Sequence, residues 1–97
     1  MAMHCYVVEC SLPGIESFTE EQLGAAAIGA CEAQRAIGPD IEWLESFIAE
    51  GKVYAHFRAA NEEVLREHGR RMGLPVDRIS KVYARLDPGM AGGSRLA

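Results

Sequence analysis

The stretch Ile41-Glu42-Trp43-Leu44-Glu45-Ser46-Phe47-Ile48-Ala49, followed by Glu50-Gly51 and then Lys52-Val53-Tyr54-Ala55-His56-Phe57-Arg58-Ala59, decides the fold. It reads as two β-strands, 41–49 and 52–59, joined by a two-residue turn at Glu50-Gly51. That turn sets Ala49 opposite Lys52. Counting back places Ile48 against Val53, Phe47 against Tyr54, Ser46 against Ala55, Glu45 against His56, Leu44 against Phe57 and Trp43 against Arg58. Side chains alternate between the faces of a sheet. One face therefore carries Ile48, Val53, Ser46, Ala55, Leu44 and Phe57. The other carries Phe47, Tyr54, Glu45, His56, Trp43 and Arg58.

Downstream, Asn61 is placed to cap a helix with Glu62 and Glu63 in its first turn. Val64, Leu65, His68 and Met72 form its inward face, and Glu62–Arg66 and Glu67–Arg71 are pairs on a solvated face. Gly73 and Pro75 end it. Residues 78–86 read as a last strand. Its apolar set Val82, Ala84 and Leu86 is expected to face the core, which sends Lys81, Tyr83 and Arg85 to the other side.

Upstream, residues 3–10 read as a first strand ending at the turn Ser11-Leu12-Pro13-Gly14. On one parity Cys5, Val7 and Glu9 belong to the second face; on the other, His4 and Tyr6 do. Thr19-Glu20-Glu21-Gln22 is a capping box opening a first helix. Leu23, Ala26, Ala27, Ala30, Cys31 and Ile37 fall at helical spacing along it, and Gly38-Pro39 stops it.

The order strand–helix–strand–strand–helix–strand is the split βαβ, or ferredoxin-like, pattern of an α+β protein. Right-handed crossovers set both helices on one face of a four-stranded antiparallel sheet. The expected domain spans residues 1–87, with a flexible C-terminal tail over 88–97, where Pro, Gly and Ser are frequent.

Composition fits this picture. The 97 residues are 48% hydrophobic and 25% charged, which argues for one globular domain and against disorder. A net charge of −4 speaks against nucleic acid as a partner, since such binders need a basic surface. No apolar run is long enough to cross a bilayer. The N-terminal Met1-Ala2-Met3-His4-Cys5 has no signal-peptide pattern. The three cysteines, Cys5, Cys10 and Cys31, contain no C-x-x-C pair and read as reduced thiols, so a cytoplasmic location is expected.

The helix-free face is where function is expected. Trp43, Phe47, Tyr54 and Tyr83 would make it too apolar to leave in water, and such patches mark contact sites. A second copy packed face to face would give a homodimeric barrel enclosing a cleft with Glu45 and His56 as its polar groups. That pair has three readings: a cross-strand ion pair, two ligands of a divalent metal, or a carboxylate-oriented imidazole acting as general base. Trp43, Glu45, Tyr54, His56 and Tyr83 are the candidate ligand-binding residues, and Glu45, His56 and Glu9 the candidate metal ligands. His68, on the inward face of the second helix, reads as structural.

Several stretches resemble a known family. Tyr6-Val7-Val8-Glu9 with Leu12-Pro13-Gly14 resembles its opening strand and turn, and Trp43-Leu44-Glu45-Ser46-Phe47 its second strand. Asn61-Glu62-Glu63-Val64-Leu65-Arg66-Glu67-His68 and Arg70-Arg71-Met72-Gly73-Leu74-Pro75 are similar to its second helix and stop, and Asp87-Pro88 to its ending. It is a domain-of-unknown-function family of small bacterial proteins, one member of which is described as nickel-binding. The resemblance implies a ferredoxin-like fold, a homodimer of the dimeric α/β-barrel type, and nickel or another divalent metal as cofactor. The family often has a histidine where this chain has Glu45, a cysteine where it has Ala55 and an apolar residue where it has His56; His68 matches a family histidine. The leading expectation is a homodimeric binding protein for a divalent metal or small ligand. The alternatives are a cofactor-free dimeric-barrel oxygenase or isomerase with His56 as base, and a module whose open face only holds a partner.

Overall fold

The computed structural model describes residues 2–91. Along them run β1 (His4–Ser11), a 3-10 turn (Ile15–Ser17), α1 (Glu20–Ile37), β2 (Ile41–Ala49), β3 (Lys52–Ala59), α2 (Glu62–Met72) and β4 (Arg78–Lys81). The sheet order is β2-β3-β1-β4, with every neighbouring pair antiparallel. This is the ferredoxin-like α+β arrangement. Of the expected tail, residues 88–91 form a helical turn, and 92–97 lie outside the described residues.

The local signals act as their chemistry dictates. Thr19 Oγ1 accepts from the Gln22 N–H at 3.1 Å, and Gln22 Oε1 accepts from the Thr19 N–H at 2.8 Å, which satisfies two otherwise orphaned donors of α1. Asn61 Oδ1 accepts from the Val64 N–H at the start of α2. Gly51 reverses the chain between β2 and β3 at φ 70°, a conformation that a side chain disfavours. The same residue anchors the turn to the neighbouring loop: its N–H donates to Glu16 Oε1 and its carbonyl accepts from the Leu12 N–H.

The core lies between the sheet and the helices. β1 contributes Tyr6, Val8 and Cys10, β2 contributes Ile41, β3 contributes Val53, Ala55, Phe57 and Ala59, and α2 contributes Leu65. This settles the parity of β1: Cys5, Val7 and Glu9 face the helix-free side, and His4 and Tyr6 share the parity of the core. α1 meets expectation only in part. Ala30 and Ala33 are buried, whereas Cys31 and Ala26 are exposed, because α1 packs chiefly against α2 and β2 and turns its Ala30–Ala33 side toward them.

Two expectations are corrected. The hairpin register holds from Ala49–Lys52 back to Glu45–His56, but Trp43 then pairs with Phe57 and Glu42 with Arg58. Leu44 is an extra residue in β2, a β-bulge that flips Trp43 to the helix side. The cause is visible in the pairing: Ile41 and Trp43 pack on the core opposite Ala59 and Phe57, while Ser46 and Ile48 lie opposite the core residues Ala55 and Val53, and a regular strand cannot place residues at an odd separation on one side. In its new place Trp43 Nε1 donates to Ser46 Oγ at 2.9 Å, and its backbone N–H, on an edge strand, donates to Gln34 Oε1 of α1 at 2.9 Å. Deleting Leu44 should therefore leave the pairs on both sides intact. We expect the shortened chain to fold with Trp43 still opposite Phe57 and to lose no more than about 1 kcal/mol. Cross-strand NOEs and urea unfolding check this, and loss of the Trp43–Phe57 neighbourhood would contradict it.

The second correction concerns β4. It ends at Lys81, short of the expected 86, and pairs Ile79 with Val8 and Lys81 with Tyr6. Lys81 thus takes the parity of the core side. Ile79 packs on the core and fixes that register. Because apolar residues lie on both faces of the sheet here, alternation alone did not distinguish them.

Candidate functional site

On the helix-free face, β2 and β3 bring Glu45 and His56 together as directly opposed residues. His56 Nδ1 lies 3.7 Å from Glu45 Oε2. That is beyond hydrogen-bond length but close enough for the carboxylate to favour a proton on Nδ1. The other ring nitrogen, Nε2, is enclosed and has no hydrogen-bond partner. Enclosed polar atoms are nearly always paired, so an orphan needs an explanation. A neutral imidazole with its proton on Nδ1 leaves a lone pair on Nε2, free for a metal ion or for a ligand donor.

Nε2 is enclosed by what covers the face. His56 shares a cavity of about 210 Å³ with Val7, Phe47, Tyr54, Val82, Ala84 and Arg85. After β4 the Val82 N–H still donates to the Cys5 carbonyl, and Val82, Ala84 and Arg85 line the cavity on the open face. Val82 and Ala84 thus meet the cavity, not the core. Arg85 reaches it too and pairs with Asp87 at 3.5 Å. Arg85 thus lies on the expected side, whereas Val82 and Ala84, expected on the core side, do not.

The candidate residues divide accordingly. Glu45, His56 and Tyr54 are neighbours on the open face. Glu9 is on that face too, opposite Tyr54 on β1 and across from Arg78 of β4, with β3 between it and Glu45. Trp43 is on the other face. Tyr83 is 87% exposed and stacks only against the Lys81 ammonium, 5.8 Å from the ring centroid; it is not a wall of the cavity. Among the described residues no group of three or more His, Cys, Asp or Glu side chains could hold a metal ion.

His68 is held on the helix side. Its Nε2 lies 3.0 Å from the Ala30 carbonyl, to which it donates, and its ring meets Phe57 edge-on with centroids 5.0 Å apart. Burial pushes its pKa below the usual histidine range, and the Ala30 contact opposes this only partly. The unfolded chain therefore takes up a proton that the folded one resists, and stability is complete above about pH 6.5 and falls as the pH drops below it. Asp77, held low by the Ser11 hydroxyl and backbone N–H, and Glu16, held low by its own and the Gly51 N–H, extend the loss into the carboxylate range. Urea unfolding between about pH 7 and 5 should show this decline, and His68→Gln, which keeps a donor but cannot titrate, should flatten it. Identical pH profiles for the two proteins would contradict the assignment.

The family model described as "Nickel responsive protein SCO4226-like" matches residues 6–82. No curated protein matches the chain. Among solved structures, the crystal structure of SCO4226 from Streptomyces coelicolor A3(2) is similar, with a TM-score of 0.69 and 16% identity over 84% of this chain and 99% of that one. At that identity the likeness speaks to the fold alone. No helix among the described residues is long and apolar enough to cross a membrane.

Proposed function

The chain belongs to the nickel responsive, SCO4226-like family, and on that premise we propose that it is a small homodimeric binding protein for a divalent metal, nickel or one of similar chemistry, on the helix-free face of the sheet. The observation that carries this reading is the orphaned Nε2 of His56. Imidazole nitrogen suits nickel and its first-row neighbours. A metal-bound histidine commonly has a carboxylate behind its other ring nitrogen, which orients the ring and raises its basicity. Glu45 stands on that side of His56. In this reading His56 is the ligand and Glu45 positions it.

One chain offers too few donors for a closed shell, so water and groups from a second copy complete it. The same face supports pairing of two copies. Phe47 is 62% exposed, beside Val7, Tyr54, Val82 and Ala84, and an apolar patch with a polar rim is what a partner covers. The Arg58–Glu42 ion pair, 2.7 Å apart, supplies part of that rim.

A thermal melt with and without nickel tests the reading. Free metal at 100 times its dissociation constant stabilises the folded state by about 2.7 kcal/mol, which in a domain of this size raises the melting temperature by roughly 10–20 °C. Failure of every first-row divalent metal to shift the melt would sink the proposal.

A further inference from the structure

On the opposite side of the sheet from His56 lies a second cavity, of about 540 Å³. Val8, Val53 and Phe57 form its floor, and Leu23, Ala27 and Ala30 of α1 its roof. Its cause is legible in the helix. α1 packs chiefly against α2 and the edge strand β2, and the side it holds over the central strands carries alanines too short to reach them. The half-exposed Phe18 and Ile48, 38% and 41%, also line the cavity and form its mouth.

The lining contains no Asp, Glu, Lys or Arg. Its principal polar groups already have partners: Trp43 Nε1 donates to Ser46 Oγ, and His68 Nε2 donates to the Ala30 carbonyl. Water needs two to four polar partners to be held in such a place, and apolar cavities instead take apolar guests. The volume falls in the range of small-molecule pockets, which are commonly apolar with a few fixed polar groups. A charged guest would lose its hydration with nothing opposite to compensate it.

We propose that this cavity, between α1 and the sheet, binds an uncharged, predominantly apolar small molecule. The site is independent of the metal reading, because the sheet separates it from His56.

The test uses the full chain and the uncharged fluorophore N-phenyl-1-naphthylamine, followed by fluorescence and by methyl NMR. Binding should enhance the fluorescence and move the methyl resonances of Val8, Ile48 and Leu65, while those of Val7 and Val82, on the other face, stay in place. Filling the cavity with Ala27→Phe should weaken binding at least tenfold. Ala26→Leu, at a more exposed lining position and so easier on folding, should weaken it in the same direction. Absence of binding by the folded wild-type chain would overturn the proposal. So would shifts confined to Val7 and Val82, or undiminished affinity in both folded variants.

Discussion

Replacing His56 with alanine is expected to abolish the nickel-dependent rise in melting temperature while leaving the metal-free melt nearly unchanged. The first half follows from the ligand atom. His56 Nε2 is the sole enclosed side-chain nitrogen or oxygen without a partner among the described residues, and alanine removes it. The second half follows from packing. The His56 side chain is 31% exposed and its contact with Glu45 is long, so its loss opens little of the core, and exposed ion pairs contribute at most about 1 kcal/mol. Glu45→Gln discriminates further. As a positioning residue its loss should weaken nickel roughly 10–100-fold without abolishing binding. If Glu45 were instead a ligand of equal standing, the two variants would behave alike. A nickel shift that survives His56→Ala would refute the assignment.

If two copies pair through the helix-free face as proposed, Phe47→Asp is expected to leave only monomers. Phe47 is one of the most exposed large apolar side chains of the sheet and stands beside the His56 cavity. Truncating an aromatic anchor at the centre of an interface costs roughly 2 kcal/mol or more, and a carboxylate left without a partner in that interface adds a further desolvation penalty. The dissociation constant should rise by about 100-fold or more. Light scattering coupled to size-exclusion chromatography reads the result. Because Phe47 lies outside the core, far-UV circular dichroism should be unchanged. A wild-type protein that is already monomeric at high concentration, or a variant that remains a dimer, would contradict the proposed use of this face.

Much of this site is legible in the sequence. The turn at Glu50-Gly51 has a short, stereotyped geometry, and register propagates from it residue by residue, so the Glu45–His56 pairing followed from five steps of counting. The sixth step failed at Leu44, because the bulge is set by the need to keep Ile41 and Trp43 on the core side and not by the turn. The warning was present in the residues themselves: the apolar positions of β2 switch parity between Trp43 and Leu44. The last strand misled for a different reason. Val82 and Ala84 are apolar because they cover the second face, and alternation read as core versus water has no way to express a sheet with two apolar sides. Nor did composition reveal the gap beneath α1. The helical spacing of Ala26, Ala27 and Ala30 does not say what they face, and the helix leans on α2 and β2 and leaves Ala26 and Ala27 along the cavity.

The proposed metal site turns on one atom, Nε2 of His56. Anomalous diffraction at the nickel absorption edge, from crystals grown with the metal, addresses it most directly. A peak is expected on the helix-free face at about 2.1 Å from His56 Nε2, the usual metal–imidazole distance, with Glu45 on the Nδ1 side of the ring. A nickel peak bonded to His56 Nδ1, or ordered metal at His4 or His68 with none at His56, would contradict it.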